Sequence, residues 1–376
     1  MKILIIHASA GAGHVKAAEA LSHAFKKNCP EGLSVITIDA LDYTNAVFKK
    51  SYPAVYIFLV KHFPLLWGAC FHFLNFSPLM PIITFFRLIF NKFHGRGLIE
   101  YILREKPEVI ICEHFFSAQL VSYLKTAGKF KGYVLCGITD FGVHRFWINK
   151  GTDYYLVASE STKRELLQKG VEQEKILVTG IPIEQRFSRQ CSKDQLRDNL
   201  GLDKNLFTIL VTSGGFGVGP IEKIVYSLDD MNIDLQILVI CGKNNQMYDS
   251  LKARDFKKKA VVLGYVTNMD ECMGAADMIV SKSGGLTVSE SLAKGLPMII
   301  IKPIPGQEMR NAEIIEENNI GVRLIDLEEI TEKITLFLKD DKKILNEMRK
   351  NTKVIAKPDA ANRISQWVIK DLLLKT

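Results

Sequence analysis

The chain has 376 residues, of which 47% are hydrophobic and 24% charged, and its formal net charge is +8. This length accommodates two domains of ordinary size, and the composition is that of a globular chain and excludes a disordered one. Seven scattered cysteines without a Cys-x-x-Cys pair argue against a disulfide framework or a cysteine-based zinc site and fit a reducing cytosol. The apolar run after Lys2 covers only residues 3–6, which is too short for the core of a signal peptide.

The first 40 residues have the pattern of one β-α-β unit. Lys2 to His7 predicts a strand, residues 8–13 a loop of small residues, Val15 to Lys27 a helix and Ser34 to Ile38 a second strand. A unit of this kind is typical of an α/β domain.

The loop of this unit contains glycines and a histidine. Gly11-Ala12-Gly13 supplies a Gly-x-Gly, but Lys16 stands where a dinucleotide fingerprint has its third glycine, so that match is weak. His14 lies at the helix start, beyond the carboxyl end of the first strand, where α/β sheets place their ligands. A histidine there could take a proton near neutral pH, or could be a structural or capping residue.

Residues 43–97 contain no acidic residue, six basic residues and 14 of the 35 aromatic residues of the chain. Basic residues among aromatics could mean nucleic acid or an anionic membrane surface. Apolar runs such as Ala54 to Val60 and Pro81 to Phe86 suit lipid better than a phosphate backbone, so the segment predicts a membrane surface and no nucleic acid. The residues predicted to contact acceptor or membrane here are Lys49, Lys50, Lys61, Trp67, Arg87 and Lys92.

A membrane span must also be weighed, because residues 63–86 carry no formal charge. Pro64, Pro78 and Pro81 would break such a span and expose unpaired backbone to lipid. Two or three short amphipathic helices lying in the interface are therefore favoured, with simple protein core as a further alternative.

The rest of the first domain predicts strands over residues 108–112, 133–138, 154–158 and 176–178, with a helix over residues 97–106. Asp140 follows the second of these strands, and His144 and Trp147, which are also predicted to contact acceptor or membrane, come four and seven residues later. Asp140 could orient a base or bind acceptor hydroxyls, or it could cap a helix. The domain is expected to span residues 1–183.

The second domain is predicted over residues 206–354, after a polar linker at residues 184–205. Its strands are expected at residues 207–212, 236–241, 261–263, 278–280 and 321–324, with helices at 270–275 and 311–318 and terminal helices at about 327–354 and 359–374. The first strand runs into Ser213-Gly214-Gly215, a second candidate phosphate-binding turn.

The stretch from Val280 to Pro297 organises this second domain. Ser283-Gly284-Gly285 follows a buried strand and opens a helix, whose unpaired N–H groups and positive dipole end suit a diphosphate. Glu290 lies further along the helix, where a carboxylate could accept hydrogen bonds from a ribose diol. Gln307 and Glu308 end the rigid Pro-Ile-Pro-Gly-Gln-Glu loop, and an amide beside a carboxylate suits vicinal sugar hydroxyls. The alternative is an ordinary strand-turn-helix.

Ser-x-Ser-Gly-Gly-x-Thr-x-x-Glu, Gly-Leu-Pro and Pro-Gly-Gln-Glu together resemble the nucleotide-sugar site of the family 28 glycosyltransferases. The family includes diacylglycerol glycosyltransferases and the muramyl N-acetylglucosaminyltransferase of peptidoglycan synthesis, and the Pro-Gly-Gln-Glu form is more similar to the bacterial diacylglycerol branch. The Gly-x-Gly-His loop and the Thr-Asp-Phe, His, Trp constellation resemble the same branch. The resemblance implies an α/β fold called GT-B, with two Rossmann-like domains facing across a cleft and residues 355–376 returning to the first domain. It also implies that His14 is the base, that Gly13 lies at the donor and that Val266 contacts uracil through its main chain.

These features together predict a membrane-associated inverting glycosyltransferase at the cytoplasmic face of the cell membrane. His14 would deprotonate a hydroxyl of diacylglycerol or a related lipid, which attacks a UDP-sugar carrying glucose or galactose. Because the chain has no Asp-x-Asp, no metal is expected, and N–H groups at Ser283 to Gly285 would stabilise the leaving diphosphate. The alternatives are transfer of N-acetylglucosamine to a polyprenyl-linked cell-wall precursor and a non-catalytic nucleotide- or lipid-binding protein.

Overall fold

The computed structural model describes residues 1–76, 78–215, 217 and 219–374, except for the side chains of Lys61 and Phe76. The chain forms two compact units. The first comprises Met1–Gln185, Ile304–Gln307 and Asp359–Thr376, and the second comprises Arg186–Pro303 and Glu308–Pro358.

The first unit is built on a parallel sheet of six strands in the order β2-β1-β3-β4-β5-β6. Most of these strands are short runs of apolar residues, as expected for parallel strands covered on both faces. Their bounds are β1 Lys2–His7, β2 Ser34–Asp39, β3 Val109–Cys112, β4 Tyr133–Gly137, β5 Tyr154–Val157 and β6 Ile176–Val178.

Seven helices of the first unit connect or precede these strands. They are α1 Ala12–Asn28, α2 Ala46–His62, α3 Pro64–Phe76, α4 Met80–His94, α5 Arg96–Glu105, α6 Phe115–Thr126 and α7 Glu160–Gln168. α1 begins three residues earlier than the sequence predicts, so Gly13 and His14 lie within its first turn and not before it.

The strand order places a topological switch point between β1 and β3, because the chain goes from β1 to β2 on one side and then to β3 on the other. Ligands of open α/β sheets bind outside the carboxyl ends of the strands at such a point. The loop after β1 carries His14, and the residues after β3 are Glu113 and His114. The topology therefore brings these three residues to one edge of the sheet.

The acid-free segment forms the three successive helices α2, α3 and α4, in agreement with the short helices predicted there. None of the helices in the part of the chain that the structure describes is both long and apolar enough to cross a membrane by itself. The pair Ala46–Val60 and Pro64–Asn75 together has the length and composition of a membrane span, but it is bent by 110° at the break between the two helices.

The second unit contains a parallel sheet of six strands in the order β12-β11-β10-β7-β8-β9. The strand bounds are β7 Phe207–Thr212, β8 Leu235–Ile240, β9 Ala260–Leu263, β10 Met278–Ser281, β11 Met298–Ile300 and β12 Gly321–Arg323. β11 was not predicted; its three residues directly follow Pro297 and give too short a pattern to separate from the preceding turn. The switch point of this sheet lies between β10 and β7.

The helices of the second unit are α8 Lys193–Asn199, α9 Ile221–Asp229, α10 Asn245–Lys252, α11 Met269–Ala275, α12 Gly285–Ala293, α13 Gln307–Glu317, α14 Ile330–Leu338 and α15 Lys343–Ile355. α13 begins at Gln307, four residues earlier than predicted. The single helix predicted over residues 327–354 is wrong, because Asp340, Asp341 and Lys342 have positive φ angles and separate α14 from α15.

The last helix, α16 (Ala360–Trp367), belongs to the first unit and continues as a π-helical segment over Val368–Leu373. Its apolar side chains pack with those of α1 against one face of the first sheet. With two parallel sheets, each covered by helices, the predicted α/β fold class of two Rossmann-like domains is confirmed.

Candidate active site

His14 lies in the first turn of α1, at the carboxyl edge of the first sheet. Its Nδ1 is 3.0 Å from the hydroxyl oxygen of Thr139, in the loop after β4, and the two groups form a hydrogen bond. The main chain of Glu113, after β3, also lies beside the ring. The base predicted from the sequence is thus held by groups from two neighbouring strand ends.

Aromatic rings enclose the same histidine. The ring of His114 meets the His14 ring edge-on, with centroids 4.8 Å apart, and the ring of Trp147 lies 6.2 Å away. His114 accepts the Phe116 N–H at its own Nδ1 over 3.1 Å and so caps α6. Its neutral ring therefore carries the proton on Nε2.

This enclosure determines the protonation state of His14. The pKa of the His14 ring is lowered to about 4, chiefly by burial and to a smaller extent by the nearby His7, while the main chain of Glu113 acts in the opposite direction. The ring is neutral at physiological pH and has a lone pair available for a proton.

Glu113 is fully buried beside this site and was missed by the sequence analysis. Neither of its carboxylate oxygens has a hydrogen-bond partner among the described residues. The carboxyl group lies so close to Gly137 that a side chain at position 137 would collide with it. Burial raises the pKa of Glu113 to about 8. The only sequence signal was an acidic residue directly after a fully apolar strand.

Three further predicted residues lie in the loop after β4. Asp140 is half-buried next to Thr139. His144 is buried and is not a surface contact: its Nε2 is hydrogen-bonded to the carbonyl oxygen of Phe71 in α3 over 3.2 Å. Trp147, also buried, belongs to the surroundings of His14. The sequence grouped His144 and Trp147 with the membrane residues because it gives no information on which side of the loop they face.

The basic residues of the acid-free segment divide into two groups. Lys49 and Lys50 are exposed on α2, where Lys49 also pairs with Asp42. Arg87 turns inwards: its guanidinium lies 4.0 Å from the centre of the Phe146 ring and donates to the Phe146 carbonyl. Lys92 donates to the hydroxyl of Tyr123 over 3.1 Å. The prediction that Arg87 contacts lipid headgroups is therefore corrected, because its guanidinium packs inside the unit. The side chain of Lys61 lies outside the described residues.

In the second unit the two predicted glycine turns follow β7 and β10, the strands that flank the switch point. Gly214 has a φ of +69°, a conformation that favours glycine, and Gly215 is exposed. A side chain at Gly219 would lie 2.9 Å from the Ser213 hydroxyl, so the turn folds back closely on itself. The arrangement leaves main-chain groups at this edge accessible to a ligand.

The turn after β10 opens helix α12 with Gly284 as its N-terminal cap. No side chain caps this helix end. Ser283 is fully buried, and its hydroxyl donates to the Glu308 carbonyl over 2.6 Å, while Asn311 donates to the Ser283 carbonyl over 2.8 Å. The Ser283 side chain therefore fixes the start of α13 against the start of α12, and a ligand would meet main-chain N–H groups of residues 283–285.

The remaining predicted donor residues lie at the same edge of the second sheet or close to it. Glu290 is half-buried within α12, and Val266 is half-buried in the turn after β9. Glu308 is the second residue of α13. Gln307 is the first residue of α13 and, like the loop before it, belongs to the first unit. Its Nε2 donates to the hydroxyl of Tyr56 over 2.9 Å. Within the described part of the chain, no three His, Cys, Asp or Glu side chains converge in a way that could hold a metal ion.

The two Rossmann-like units, with a histidine at the switch point of one and glycine turns at that of the other, have the architecture called GT-B. Solved structures support the fold: MurG of Acinetobacter baumannii aligns over 98% of this chain and 99% of its own with a TM-score of 0.66 at 15% identity. The UDP complex of MnaA from S. aureus aligns over 99% and 97% with a TM-score of 0.64 at 15% identity.

Sequence comparison defines the family more closely. Residues 14–183 match the family model of monogalactosyldiacylglycerol (MGDG) synthase, and residues 208–364 match that of the glycosyltransferase family 28 C-terminal domain. Monogalactosyldiacylglycerol synthase 1 of Arabidopsis thaliana is 32% identical over 96% of this chain and 69% of its own. The processive diacylglycerol beta-glucosyltransferase of Bacillus licheniformis is 31% identical over 93% and 90%. The chain belongs to this family of glycolipid-forming glycosyltransferases, as the sequence motifs predicted.

Proposed function

We propose that this enzyme transfers a hexose, glucose or galactose, from a UDP-sugar to the hydroxyl of diacylglycerol with inversion at the anomeric carbon. The single observation that carries the proposal is the buried, neutral His14, hydrogen-bonded to Thr139 at the switch point of the first sheet, within the region that matches MGDG synthase. A base in this position suits an acceptor that must lose a proton as it attacks.

The proposed reaction is a single displacement. The lone pair of the His14 ring takes the proton of the lipid hydroxyl while the hydroxyl oxygen forms a bond to the anomeric carbon. The bond between that carbon and the β-phosphate oxygen breaks, and UDP leaves from the opposite face. We assign the ring proton to Nδ1, which faces the Thr139 hydroxyl over 3.0 Å, so that Nε2 has the lone pair that takes the proton of the acceptor hydroxyl.

The second unit would bind the donor. The N-terminus of α12 and the glycine turn after β7 offer main-chain N–H groups to the diphosphate, which supports a reaction without a metal ion. We assign Glu290 to the ribose, Val266 to the uracil through its main chain, and Gln307 with Glu308 to the sugar. The Bacillus licheniformis relative is named as a diacylglycerol glucosyltransferase, and the solved structure of MnaA contains UDP.

The acceptor is a membrane lipid, and α2, α3 and α4 have the surface needed to reach it. Fifteen of the 23 large apolar side chains that are exposed among the described residues lie between residues 47 and 93. Leu65 on α3 is 84% exposed and Phe93 on α4 is 76% exposed. An apolar patch of this density on a basic, acid-free segment favours an anionic bilayer surface as its partner. We propose that the enzyme binds the membrane peripherally through this surface, at the cytoplasmic face.

The proposal is tested with the purified chain, radiolabelled UDP-glucose, UDP-galactose and UDP-N-acetylglucosamine, and vesicles that contain diacylglycerol. We expect label to enter the lipid phase with one of the two hexoses and only when diacylglycerol is present. Analysis of the product linkage should show the β anomer, since the donor is the α anomer. Transfer only to a polyprenyl-linked acceptor, or product of the α configuration, would contradict the proposal.

A further inference from the structure

The loop Ile304–Gln307 is held on helix α3 of the first unit by two glycine contacts. A side chain at Gly68 in α3 would lie 2.7 Å from Cβ of Pro305. A side chain at Gly306 would lie 2.7 Å from the ring of Phe71 in α3, and Gly306 also has a φ of +103° that favours glycine. Neither contact leaves room for a methyl group, so the position of the loop on α3 is closely defined.

At the end of this loop, the side chain of Gln307 is anchored at one end only. Its Nε2 donates to the hydroxyl of Tyr56 in α2 over 2.9 Å. Its Oε1 is buried and has no hydrogen-bond partner among the described residues. The ring of Tyr56 is in turn supported edge-on by Trp67 of α3, with centroids 5.2 Å apart.

A buried amide oxygen without a partner is unfavourable unless a ligand supplies a donor. The hydroxyls of a hexose are such donors, and Gln307 is the residue that we have assigned to the sugar. The hydroxyl of Tyr56 holds the nitrogen end of the amide, so the oxygen end is the part that remains for the ligand.

We propose that Tyr56 is a positioning residue for donor recognition: it holds the Gln307 amide so that Oε1 accepts a hydrogen bond from a hydroxyl of the donor hexose. The inference rests on the proposed function, because it requires that a UDP-hexose is the donor. It adds a residue of the lipid-facing helix α2 to the recognition of a water-soluble sugar.

The test uses Tyr56→Phe, which keeps the ring against Trp67 and removes only the hydroxyl. We expect the KM for the UDP-hexose to rise about 3- to 15-fold, the effect of one neutral hydrogen bond, with kcat within about twofold. The inhibition constant of UDP, which lacks the sugar, should stay unchanged. Tyr101→Phe on α5 is the matched control, since it removes a tyrosine hydroxyl of the same unit outside the loop, and it should behave like the wild type.

A double-mutant cycle separates positioning from a general structural effect. Gln307→Ala should raise the KM for the UDP-hexose at least as much as Tyr56→Phe, and adding Tyr56→Phe to Gln307→Ala should cause no further change. Additive effects of the two substitutions, or an equal loss of UDP affinity in Tyr56→Phe, would overturn the inference. A wild-type chain that transfers no hexose at all would refute the proposed function, whereas normal transfer with an unchanged KM in Tyr56→Phe refutes only this inference.

Discussion

Two regions of the first unit differ in which side chains they bury and which they expose. At the carboxyl edge of the sheet, around His14, polar side chains are enclosed: Glu113 and His114 are almost completely buried. On α2, α3 and α4 the opposite holds, and large apolar side chains such as Leu65 and Phe93 face outwards. Both arrangements are unfavourable for a protein in water, because a buried carboxyl group loses its hydration and an exposed apolar side chain remains in contact with water.

The difference indicates that the two regions of this unit have different functions. In the proposed reaction, enclosure would keep His14 neutral and oriented for proton transfer, and exposure would provide a surface on which a lipid bilayer replaces water. If this comparison is right, substitutions in one region should change one property and leave the other intact.

The largest effect is expected at His14. Changing His14→Ala removes the proposed base, and the rate of hexose transfer should fall about 10²- to 10⁴-fold, the usual contribution of general base catalysis. Steady-state rates with diacylglycerol vesicles measure this. His23→Ala, an exposed position on the same helix, is the matched control and should keep full activity. Vesicle binding should be the same in both variants; if His14→Ala also lost vesicle binding, the two regions would not be separable.

The next effect concerns pH and Glu113. Its pKa in the folded state is raised by burial from 4.5 to about 8, so the folded state holds this proton more tightly than the unfolded state does. The corresponding stability is fully present below pH 4.5 and is lost as the pH rises through 8. A glutamine at position 113 cannot ionise. Between pH 5 and pH 8.5, the free energy of unfolding of Glu113→Gln should therefore fall by a few kcal/mol less than that of the wild type.

Denaturant unfolding at several pH values gives this comparison directly. Glu31→Gln, in an exposed turn, is the control and should follow the wild-type curve. Parallel curves for Glu113→Gln and the wild type would show that the carboxyl group ionises normally and that the edge is not as enclosed as described.

On the other side of the comparison, the pair Phe86→Ser and Phe93→Ser removes two exposed rings from α4. Each buried aromatic side chain contributes about 1.5–3 kcal/mol on leaving water, so vesicle binding should weaken roughly 100-fold or more at any salt concentration. The melting temperature should hardly change, because the rings are exposed in the folded protein. Ile325→Ser, at an equally exposed apolar site of the second unit, should leave vesicle binding as it was.

A smaller effect is expected from charge. Lys49→Ser with Lys50→Ser removes two exposed cations, each contributing about 1 kcal/mol near an anionic surface, and the preference for anionic over neutral vesicles should decrease roughly 10- to 30-fold at low salt. High salt should abolish the difference from the wild type. Arg87→Ser is an instructive contrast, because the Arg87 guanidinium packs on Phe146. It should lower the melting temperature and leave the lipid preference nearly intact; the reverse result would show that Arg87 faces lipid.

The smallest effect is expected from a chelator. If main-chain N–H groups at the α12 N-terminus stabilise the leaving diphosphate, activity in excess chelator should stay within about twofold of the untreated rate. Loss of activity that magnesium or manganese specifically restores would contradict the assignment of this role to the second unit.

The sequence by itself determined the two Rossmann-like domains, because parallel strands covered on both faces must be short continuous apolar runs between helices. It also determined the family, through the Ser-Gly-Gly and Pro-Gly-Gln-Glu motifs, and the helical, aromatic character of the acid-free segment. All of these signals are local: each depends on residues that follow one another along the chain, and none on which side chains meet in the folded protein.

Only the tertiary structure decided which groups meet. The contact between His14 and Thr139 joins residues 125 positions apart, and the Tyr56–Gln307 hydrogen bond joins residues 251 positions apart. The burial of Glu113 and the inward turn of Arg87 likewise depend on elements that are distant in the chain. A local pattern states that a side chain is polar or apolar, but its partners and its pKa follow from the strand order and from the packing of helices on the sheet, which residue spacing does not contain.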